Sequence, residues 1–343
     1  MTLRAAVIGL GSMGANHVRV YGELDGVDLV AVCDREPARV AQATRGRTAR
    51  GYTDPTALLD EARPDLVSIA TPTGAHYEVA RAAIERGVAC LVEKPLAATV
   101  PDGLALRDAS RARGVPLAVG HVERFNPAVA ELRRRIAAGE LGRVFQVAAR
   151  RVGPFPSRIR DVGVVLDLAT HDIDVMRYVL GEEVERVYAE TYRRIHTDRE
   201  DMLSGVLRFT GGVVGVLDVN WLTPTKIRQL SMVGERGMFV VDYITKDLWF
   251  YENARAGDQP SWPELATVAG VSEGLMVRAA LEKREPLRLE LEAFVACVRN
   301  GGPPPVSADD ALAAMAVAEA LIEAGRTGEA VRPASTLYEG PSP

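Results

Sequence analysis

A glycine-rich turn near the N-terminus constrains the fold of this chain more than any other feature. Gly9, Gly11 and Gly14 directly follow a short apolar run and precede a helical segment. The first glycine permits a tight turn, the second lets a phosphate approach the backbone, and the third lets helix and strand pack closely. The spacing therefore predicts a strand, a turn and a helix whose N-terminus faces a phosphate. We expect Ser12 and Met13, inside the turn, to contact the same ligand.

Short apolar segments recur through the first 120 residues, with helical segments between them. They are residues 5–8, 28–33, 66–70, 88–92 and 116–119. Short, nearly continuous apolar strands that alternate with helices indicate a parallel sheet buried on both faces. The pattern predicts an N-terminal doubly wound α/β (Rossmann) domain over residues 1–121.

The pattern changes after Gly120, where strands follow one another with little helix between them. With 343 residues, the chain is longer than one compact core usually holds, which predicts a second domain over residues 122–343. Its expected strands are residues 143–152, 184–194, 203–209, 213–220, 227–233 and 238–243, and its expected helices are 125–138, a helix within 162–180, 287–300 and 308–324. We predict an α+β domain with a mostly antiparallel open sheet and helices on one side.

An acidic residue follows the glycine turn at the distance typical of dinucleotide sites. Asp34 ends the second predicted strand, 20 residues beyond Gly14, where a carboxylate can accept both hydroxyls of a ribose. A carboxylate repels a 2′-phosphate, so Asp34 favours NAD over NADP. Arg35 could serve a 2′-phosphate instead, which leaves NADP possible. The alternative is a plain glycine-rich turn followed by a helix-capping Asp.

Two further segments end at the edge of the predicted parallel sheet where ligands bind. Glu93-Lys94-Pro95 follows the strand at residues 88–92, and a partly desolvated lysine there can exchange a proton near neutral pH. Thr71 and Thr73 follow the strand at 66–70 and could bond the cofactor, although Thr73 could also cap the next helix. We place Glu93, Lys94 and His76 among the cofactor-binding candidates, with helix packing as the alternative for His76. The alternative for Lys94 is an ordinary solvated lysine.

A second acid–base candidate lies in the predicted second domain. Asp167 and His171 are four residues apart, so on a helix they share a face. A carboxylate beside an imidazole can orient it and raise its basicity, which suits a general base. A capping Asp and an ordinary helical ion pair is an equally good explanation of this pair alone.

Basic and amide side chains at the domain junction are candidate substrate ligands. Arg124, Asn126 and Arg151 could bind a substrate or its phosphates, but Asn126 could equally cap the helix that begins beside it. Arg151 belongs to a local basic group with Arg150, Arg158 and Arg160, which would suit a diphosphate. A solvated basic surface explains that group equally well.

Composition excludes several classes of protein. The net charge of −5 provides no global field for nucleic acid, and no apolar run approaches the roughly 20 residues needed to cross a bilayer. The first residues run straight into a strand without a cleavable leader, so we expect a cytoplasmic protein. The cysteines, at positions 33, 90 and 297, lie far apart in apolar surroundings, and no Cys or His cluster has metal-ligand spacing. We therefore expect no disulfide and no metal.

Taken together, the glycine turn, Thr71-Pro72, Glu93-Lys94-Pro95 and Asp167 with His171 resemble the Gfo/Idh/MocA oxidoreductases. The resemblance covers nearly the whole chain. It implies a catalytic trio of Lys94, Asp167 and His171, with Lys94 and His171 handling a hydroxyl proton. It also implies NAD or NADP as cofactor, a sugar-type substrate, and a homodimer or homotetramer built through the open sheet of the second domain.

Within that family, residues 121–127, 151–156 and 161–174 resemble the branch of UDP-N-acetylglucosamine 3-dehydrogenases. This resemblance implies oxidation of the 3-hydroxyl of a UDP-N-acetylhexosamine. The alternatives are an inositol or free-sugar dehydrogenase of the same family and, as a different class, a dinucleotide-sensing protein without catalysis. The presence of Lys94, Asp167 and His171 argues against the sensor.

Overall fold

A six-stranded parallel sheet forms the centre of the first of two compact units in the computed structural model, which describes residues 2–156, 162–195, 199–253 and 273–334. The strand order is β3-β2-β1-β4-β5-β6. The strands are β1 (Leu3–Ile8), β2 (Val27–Cys33), β3 (Arg50–Tyr52), β4 (Leu66–Ile69), β5 (Ala89–Glu93) and β6 (Leu117–Gly120). The helices between them are α1 (Ser12–Tyr21), α2 (Pro37–Thr44), α3 (Pro55–Ala62), α4 (His76–Glu85) and α5 (Val100–Arg113).

The strand order of this sheet reverses between β1 and β4, which pair in parallel along Ala5–Ile8. The chain leaves β1 toward β2 on one side and returns to β4 on the other, so the loops after these two strands diverge. Ligands of doubly wound sheets bind at this reversal, outside the carboxyl ends of the strands. Gly9, Thr71 and Lys94 all follow strands at that edge.

The first unit contains residues 1–122 and also 285–315. Helix α8 (Pro286–Asn300) contributes Leu291 and Phe294 to the core that holds Val20 and Tyr21 of α1. The domain expected over residues 122–343 included this helix, so the structure departs from the sequence-based boundary. Amphipathic periodicity locates the buried face of such a helix but does not identify the core that receives it.

The second unit is built on an eight-stranded sheet with the order β14-β13-β12-β11-β7-β10-β9-β8. All neighbours pair antiparallel except β7 and β10, which are parallel. The strands are β7 (Val144–Pro154), β8 (Val184–Tyr192), β9 (Met202–Phe209), β10 (Val214–Asn220), β11 (Leu222–Gly234), β12 (Gly237–Asp242), β13 (Asp247–Asn253) and β14 (Glu273–Arg278). Helices α6 (Pro127–Ala137) and α7 (Thr170–Leu180) belong to this unit, and the unit boundary crosses α9 (Ala308–Thr327) after residue 315.

Alternation of burial along the strands shows that one face of this sheet is covered and the other is not. In β9, Leu203, Leu207 and Phe209 are buried, whereas Val206 is exposed. This is the pattern of an antiparallel sheet that packs on a core with one face only.

The expected fold class is confirmed in both units. The sequence did not predict β3, β13 and β14, because β3 has only three residues and β13 begins directly after a turn. Arg158 and Arg160, members of the predicted basic group, lie outside the described residues. Within the described ranges, no helix is long and apolar enough to cross a membrane. Cys33, Cys90 and Cys297 are buried free thiols.

Candidate active site

The glycine turn adopts the tight, close-packed geometry that its sequence predicts. Gly9 has a φ of +91°, and a Cβ there would lie 2.5 Å from the backbone of Ala70 and Thr71. A Cβ on Gly14 would lie 1.7 Å from the carbonyl oxygen of Gly9. These two glycines therefore serve the packing of β1, α1 and the loop after β4.

Gly11 differs, because a Cβ at this position would meet nothing within 4 Å. Gly11 is the N-cap of α1, and no side chain caps that helix end. The first amides of α1 therefore face open space, which is the arrangement that binds a phosphate. Of the other turn residues, Ser12 is exposed and Met13 packs against the core.

Asp34 lies at the end of β2 and is 9% exposed. Its Oδ2 accepts a hydrogen bond from the Leu10 amide at 2.7 Å, and its Oδ1 accepts one from the Glu36 amide at 2.9 Å. The carboxylate thus joins the glycine turn to the loop after β2 and still has lone pairs for a ribose. Arg35 is exposed, whereas Arg39 approaches Asp34 at 3.6 Å.

His76 lies at the start of α4 and connects the loop after β4 with the turn after β5. Its Nδ1 is 2.9 Å from the carbonyl oxygen of Pro95, and its Nε2 is 2.9 Å from that of Thr71. A neutral imidazole donates to only one of these oxygens, whereas a protonated ring donates to both. Burial lowers the pKa of His76, and the two carbonyls oppose that effect. Thr73 begins a short 3-10 turn, and Ala75 is the N-cap of α4.

Glu93 and Lys94 are half-buried at the end of β5, and the Lys94–Pro95 peptide is cis. The Glu93 Oε1 is 2.9 Å from Nε2 of His17, a fully buried residue of α1. Burial raises the pKa of Glu93, but the hydrogen bond and charge of His17 and the charge of Lys94 outweigh burial and lower it below its ordinary value. Sequence reasoning missed His17, because one histidine on an amphipathic helix gives no signal of its partner.

In the second unit, Asp167 and His171 lie on consecutive turns of one helical segment. Asp167 belongs to a π-helical turn, Val165–Ala169, and His171 belongs to α7, which follows it directly. The sequence predicted one regular helix; a π turn widens the backbone locally and is frequent at functional sites. Both side chains are half-buried.

Glu200 stabilises the start of this segment. Its Oε1 accepts a hydrogen bond from the Val165 amide at 3.2 Å, and its carbonyl accepts one from the Val164 amide at 3.0 Å. A Cβ on Gly163 would lie 2.1 Å from the Glu200 carboxylate, so a larger residue at position 163 would displace that side chain. The carboxylate caps the turn that presents Asp167.

The three predicted substrate ligands are all engaged within the second unit. The Arg124 guanidinium, 8% exposed, makes two bonds to Asp174. Asn126 caps α6 through the Ala128 amide and donates to the Tyr243 carbonyl. These contacts match the capping alternative for Asn126. The predicted substrate roles of both residues stay predictions.

Arg151 is 1% exposed and is the most deeply buried of the three. It makes two bonds to Asp172, at 2.7 and 3.0 Å, and one to Glu123 at 3.1 Å. Burial lowers the pKa of Arg151, but the carboxylates of Asp172 and Glu123 outweigh burial and raise it. A substrate phosphate would have to replace one of these carboxylates, so the geometry favours a scaffold role.

Arg228, which sequence reasoning missed, lies opposite Arg151 in the β7–β11 ladder. It is two residues before the buried Leu230, so it is on the covered face of the sheet, where it is half-buried. Burial and the charge of Arg151 lower the pKa of Arg228, while Glu123, Asp172 and Asp167 oppose them. In the described part of the chain, no carboxylate forms an ion pair with Arg228 within 4.0 Å.

Comparisons with known proteins cover both units. The sequence profile of the GFO/IDH/MocA oxidoreductase family, NAD-binding Rossmann fold, matches residues 3–121, and that of the GFO/IDH/MocA C-terminal domain matches residues 129–240. The chain belongs to the Gfo/Idh/MocA oxidoreductase family. Its relatives in this family are named sugar and polyol dehydrogenases, and it is an NAD-dependent oxidoreductase acting on CH–OH groups.

Relatives of two substrate classes are similarly close. The UDP-N-acetylglucosamine 3-dehydrogenase of Acidithiobacillus ferrooxidans is 31% identical over 85% of this chain and 88% of its own. Inositol 2-dehydrogenase 2 of Saccharopolyspora erythraea is 31% identical over 98% of both chains. A solved structure of the first enzyme, GnnA, superposes with a TM-score of 0.82 at 29% identity and covers 94% of this chain and 97% of that one.

The residues of the first unit fit the cofactor of this family. Open space before the uncapped amides of α1 suits a pyrophosphate, and the Asp34 carboxylate suits an unphosphorylated ribose. The Leu10 amide, in the glycine turn just before α1, donates to the Asp34 carboxylate, so the turn and the carboxylate are held together.

Proposed function

We propose that this Gfo/Idh/MocA enzyme oxidises the 3-hydroxyl of a UDP-N-acetylhexosamine, with Lys94, Asp167 and His171 as its catalytic residues. The observation that carries the proposal is that Asp167, on the π turn, and His171, in the first turn of α7, are on consecutive turns, while the half-buried Arg228, whose pKa the charge of Asp167 raises, lies on the covered face of the second sheet. The pair supplies a base, and Arg228 supplies a positive charge for an anionic substrate.

The protein's part in the reaction is to accept the hydroxyl proton and to stabilise the negative charge that develops on the oxygen. The bound nicotinamide supplies the hydride acceptor for the sugar carbon. His171, oriented by Asp167, takes the proton that leaves the hydroxyl as the C–H bond breaks. The Lys94 ammonium donates a hydrogen bond to the oxygen as negative charge develops on it. An exchange of roles between Lys94 and His171 is the alternative within this proposal.

A nucleotide sugar is supported by the charge of Arg228. Arg151 makes its ion pairs with Asp172 and Glu123, which leaves Arg228 as a half-buried cation without an ion pair of its own in the described residues. A half-buried cation is stabilised by an anionic ligand, and guanidinium is well suited to phosphate. The similarity to UDP-N-acetylglucosamine 3-dehydrogenase supports the same substrate class.

A neutral inositol is the second candidate, because several inositol dehydrogenases match nearly the full chain at comparable identity. An inositol carries no phosphate and gives Arg228 no anionic partner. The two candidates therefore differ in what they predict for UDP alone and for substitution of Arg228.

The test is a hydride-transfer assay over UDP-sugars, free sugars and inositols, monitored by absorbance of reduced cofactor. We expect turnover with a UDP-N-acetylhexosamine, stabilisation by UDP in a thermal shift, and loss of that shift in Arg228→Gln. Arg150→Gln, which changes an exposed arginine of the neighbouring β7, is the matched control. Turnover of inositol without any response to UDP would contradict the nucleotide-sugar proposal.

The catalytic assignment has its own test. Lys94→Ala should abolish turnover yet leave NADH binding largely intact, because the phosphate and ribose contacts lie elsewhere in the first unit. Normal turnover in this variant would remove Lys94 from the mechanism. Cofactor binding without turnover of any substrate by the unmodified protein would favour the dinucleotide sensor; the protein should also be denatured and checked for retained nicotinamide.

We also propose that the open sheet of the second unit forms the contact between subunits of a homodimer or homotetramer. Its uncovered face carries one row of directly paired neighbours across seven strands, and most of them are apolar. From β8 to β13 the row runs Tyr188, Val206, Val216, Ala148, Ser231, Val240 and Trp249. Tyr188 and Val206 are exposed and the other five residues are half-buried, and a continuous, partly exposed apolar strip of this kind is typical of an interface.

A further inference from the structure

Two histidines contact the turn that carries Lys94. One binds the residue before the lysine, and the other binds the residue after it. His17 reaches the side chain of Glu93, with Nε2 and Oε1 2.9 Å apart. His76 reaches the backbone of Pro95, with Nδ1 and the carbonyl oxygen 2.9 Å apart. Both histidines are buried, at 0% and 1% exposure, so each ring is shielded from bulk water.

The same two histidines belong to the elements that form the cofactor site. His17 lies in α1, whose first turn contains Gly14. His76 begins α4 and contacts the carbonyl of Thr71 with its other ring nitrogen. The turn that carries Lys94 is therefore connected through His17 to α1, which begins at the glycine turn, and through His76 to the loop after β4.

We propose that His17 and His76 are positioning residues that hold Lys94 in place relative to the cofactor site. The inference rests on the proposed acid–base role of Lys94. Lysine has a flexible stem, so its ammonium is placed accurately only if its backbone is fixed. A displacement of about 1 Å at a reacting group can cost about a hundredfold in rate.

The chemistry of the His17–Glu93 pair explains why the hydrogen bond matters. Glu93 is held ionised with a pKa below its ordinary value, and Gly120 lies against its carboxylate, where a Cβ would be 3.1 Å from Oε2. Removing the donor of His17 would leave a buried carboxylate without this partner, and the turn would have to move to hydrate it. Glutamine at position 17 offers an amide N–H near the place of Nε2 and can keep the bond.

The decisive comparison is His17→Leu against His17→Gln, with kcat and the NADH dissociation constant measured for each. We expect kcat to fall about tenfold to a hundredfold in His17→Leu, with NADH affinity within about threefold of the unmodified enzyme. His17→Gln should recover most of kcat. If His17→Leu does not fold, His17→Leu/Glu93→Gln, which buries no charge at this point, takes its place.

A second readout does not depend on turnover, because the chain has only four lysines, at positions 94, 226, 246 and 283. Acylation of each lysine can be followed by mass spectrometry in the complex with NADH. His17→Leu and His76→Leu should change the acylation rate of Lys94, while the rate of Lys246, a half-buried residue of the turn between β12 and β13, stays unchanged. A purely structural role would lower stability without this selective change.

The kcat values and the acylation rates together distinguish a failure of the proposed role of Lys94 from a failure of the positioning role of the histidines. If Lys94→Ala is active, the proposed role of Lys94 fails, and the acylation rates alone decide the positioning. If Lys94→Ala is inactive but His17→Leu keeps the kcat and the Lys94 acylation rate of the unmodified enzyme, the positioning role is overturned. A fall in kcat that His17→Gln does not recover would also contradict the hydrogen bond as its cause.

Discussion

Gly9, Gly11 and Gly14 belong to one motif, but they are not needed for the same reason. Gly9 and Gly14 are needed because backbone atoms occupy the space of a Cβ, whereas Gly11 has open space in front of it. The protein itself leaves room for a side chain at Gly11, and we propose that a bound dinucleotide is what requires glycine there. This difference can be measured.

Gly11→Ala should reduce NADH affinity about tenfold or more, a loss of about 1.4 kcal/mol, because a methyl group would enter the space of the pyrophosphate. The free energy of unfolding should change by only about 0.5 kcal/mol, the typical effect of replacing a glycine N-cap. Gly14→Ala is the control, since its Cβ would meet the Gly9 carbonyl. It should cost about 1–3 kcal/mol of stability, as overpacking does. Denaturant unfolding and NADH fluorescence titration measure both quantities, and equal destabilisation by the two variants would refute the distinction.

Individual residues also show how far sequence reasoning reached. The positions of Gly9, Asp34 and Lys94 after strands of a doubly wound sheet could be predicted, because alternating strands and helices are a local pattern; their roles stay predictions. His17 and Arg228 could not, because their importance lies in partners 76 residues away in one case and on a neighbouring strand in the other. Arg124 and Arg151 were predicted as ligands from their charge alone, and the carboxylates that bind them are distant in sequence.

At the scale of elements, the segment that presents Asp167 depends on the fit between Gly163 and Glu200. Gly163→Ala would push the Glu200 carboxylate away from the Val165 amide, and Glu200→Ala would remove it. Each change should lower stability by about 0.5–2 kcal/mol, the usual cost of losing a helix cap. Each should also reduce kcat while leaving NADH affinity unchanged.

The two changes act through one hydrogen bond, so the double variant should be little worse than either single one. The test is a double-mutant cycle, in which the unfolding free energy and kcat are measured for the unmodified protein, Gly163→Ala, Glu200→Ala and the double variant. Simple addition of the two effects would show that Glu200 and Gly163 act independently.

Helix α6 carries a pH-dependent contribution to stability. Hydrogen bonds from Arg134 and Arg135 lower the pKa of Glu131 to about 2, from an ordinary value of 4.5. A lowered carboxyl pKa stabilises the folded protein above the unfolded value, and the contribution is lost as pH falls through the folded value. Glu131→Gln should therefore cost about 0.5–1 kcal/mol at pH 7, as partly exposed pairs do. The difference from the unmodified protein should shrink between pH 5 and pH 2; a constant difference over that range would disprove the ion pair as its source.

At the scale of the whole molecule, we expect the uncovered face of the eight-stranded sheet to form the contact between subunits. Val206, on β9 next to the β8 edge, is the most exposed residue of the apolar row at 47%, and Ser204 lies two residues earlier on the same face between Glu190 and Asp218. Val206→Lys should dissociate the oligomer, because it would bury a charge in the interface. Ser204→Lys, beside two carboxylates, is the matched control and should leave assembly intact. Light scattering after size-exclusion chromatography gives the mass; an unchanged mass for Val206→Lys would exclude this face.

The fold as a whole was more accessible from sequence than its division into units. Alternating apolar strands and helices identify a doubly wound sheet, and successive strands identify an antiparallel one, because both patterns are local. The placement of α8 is not local. Leu291 and Phe294 of α8 complete a core whose residues outside that helix, such as Val20 and Leu91, lie more than 150 positions earlier.

The position of α8 has a consequence for synthesis. The ribosome releases residues 1–122 first, yet the core of that unit still lacks Leu291 and Phe294. The intervening residues 123–284, which contain the whole eight-stranded sheet, must emerge before the first unit can close. A nascent chain arrested at residue 122 should therefore remain protease-sensitive, and protection of its N-terminal region should begin only after translation has passed residue 300.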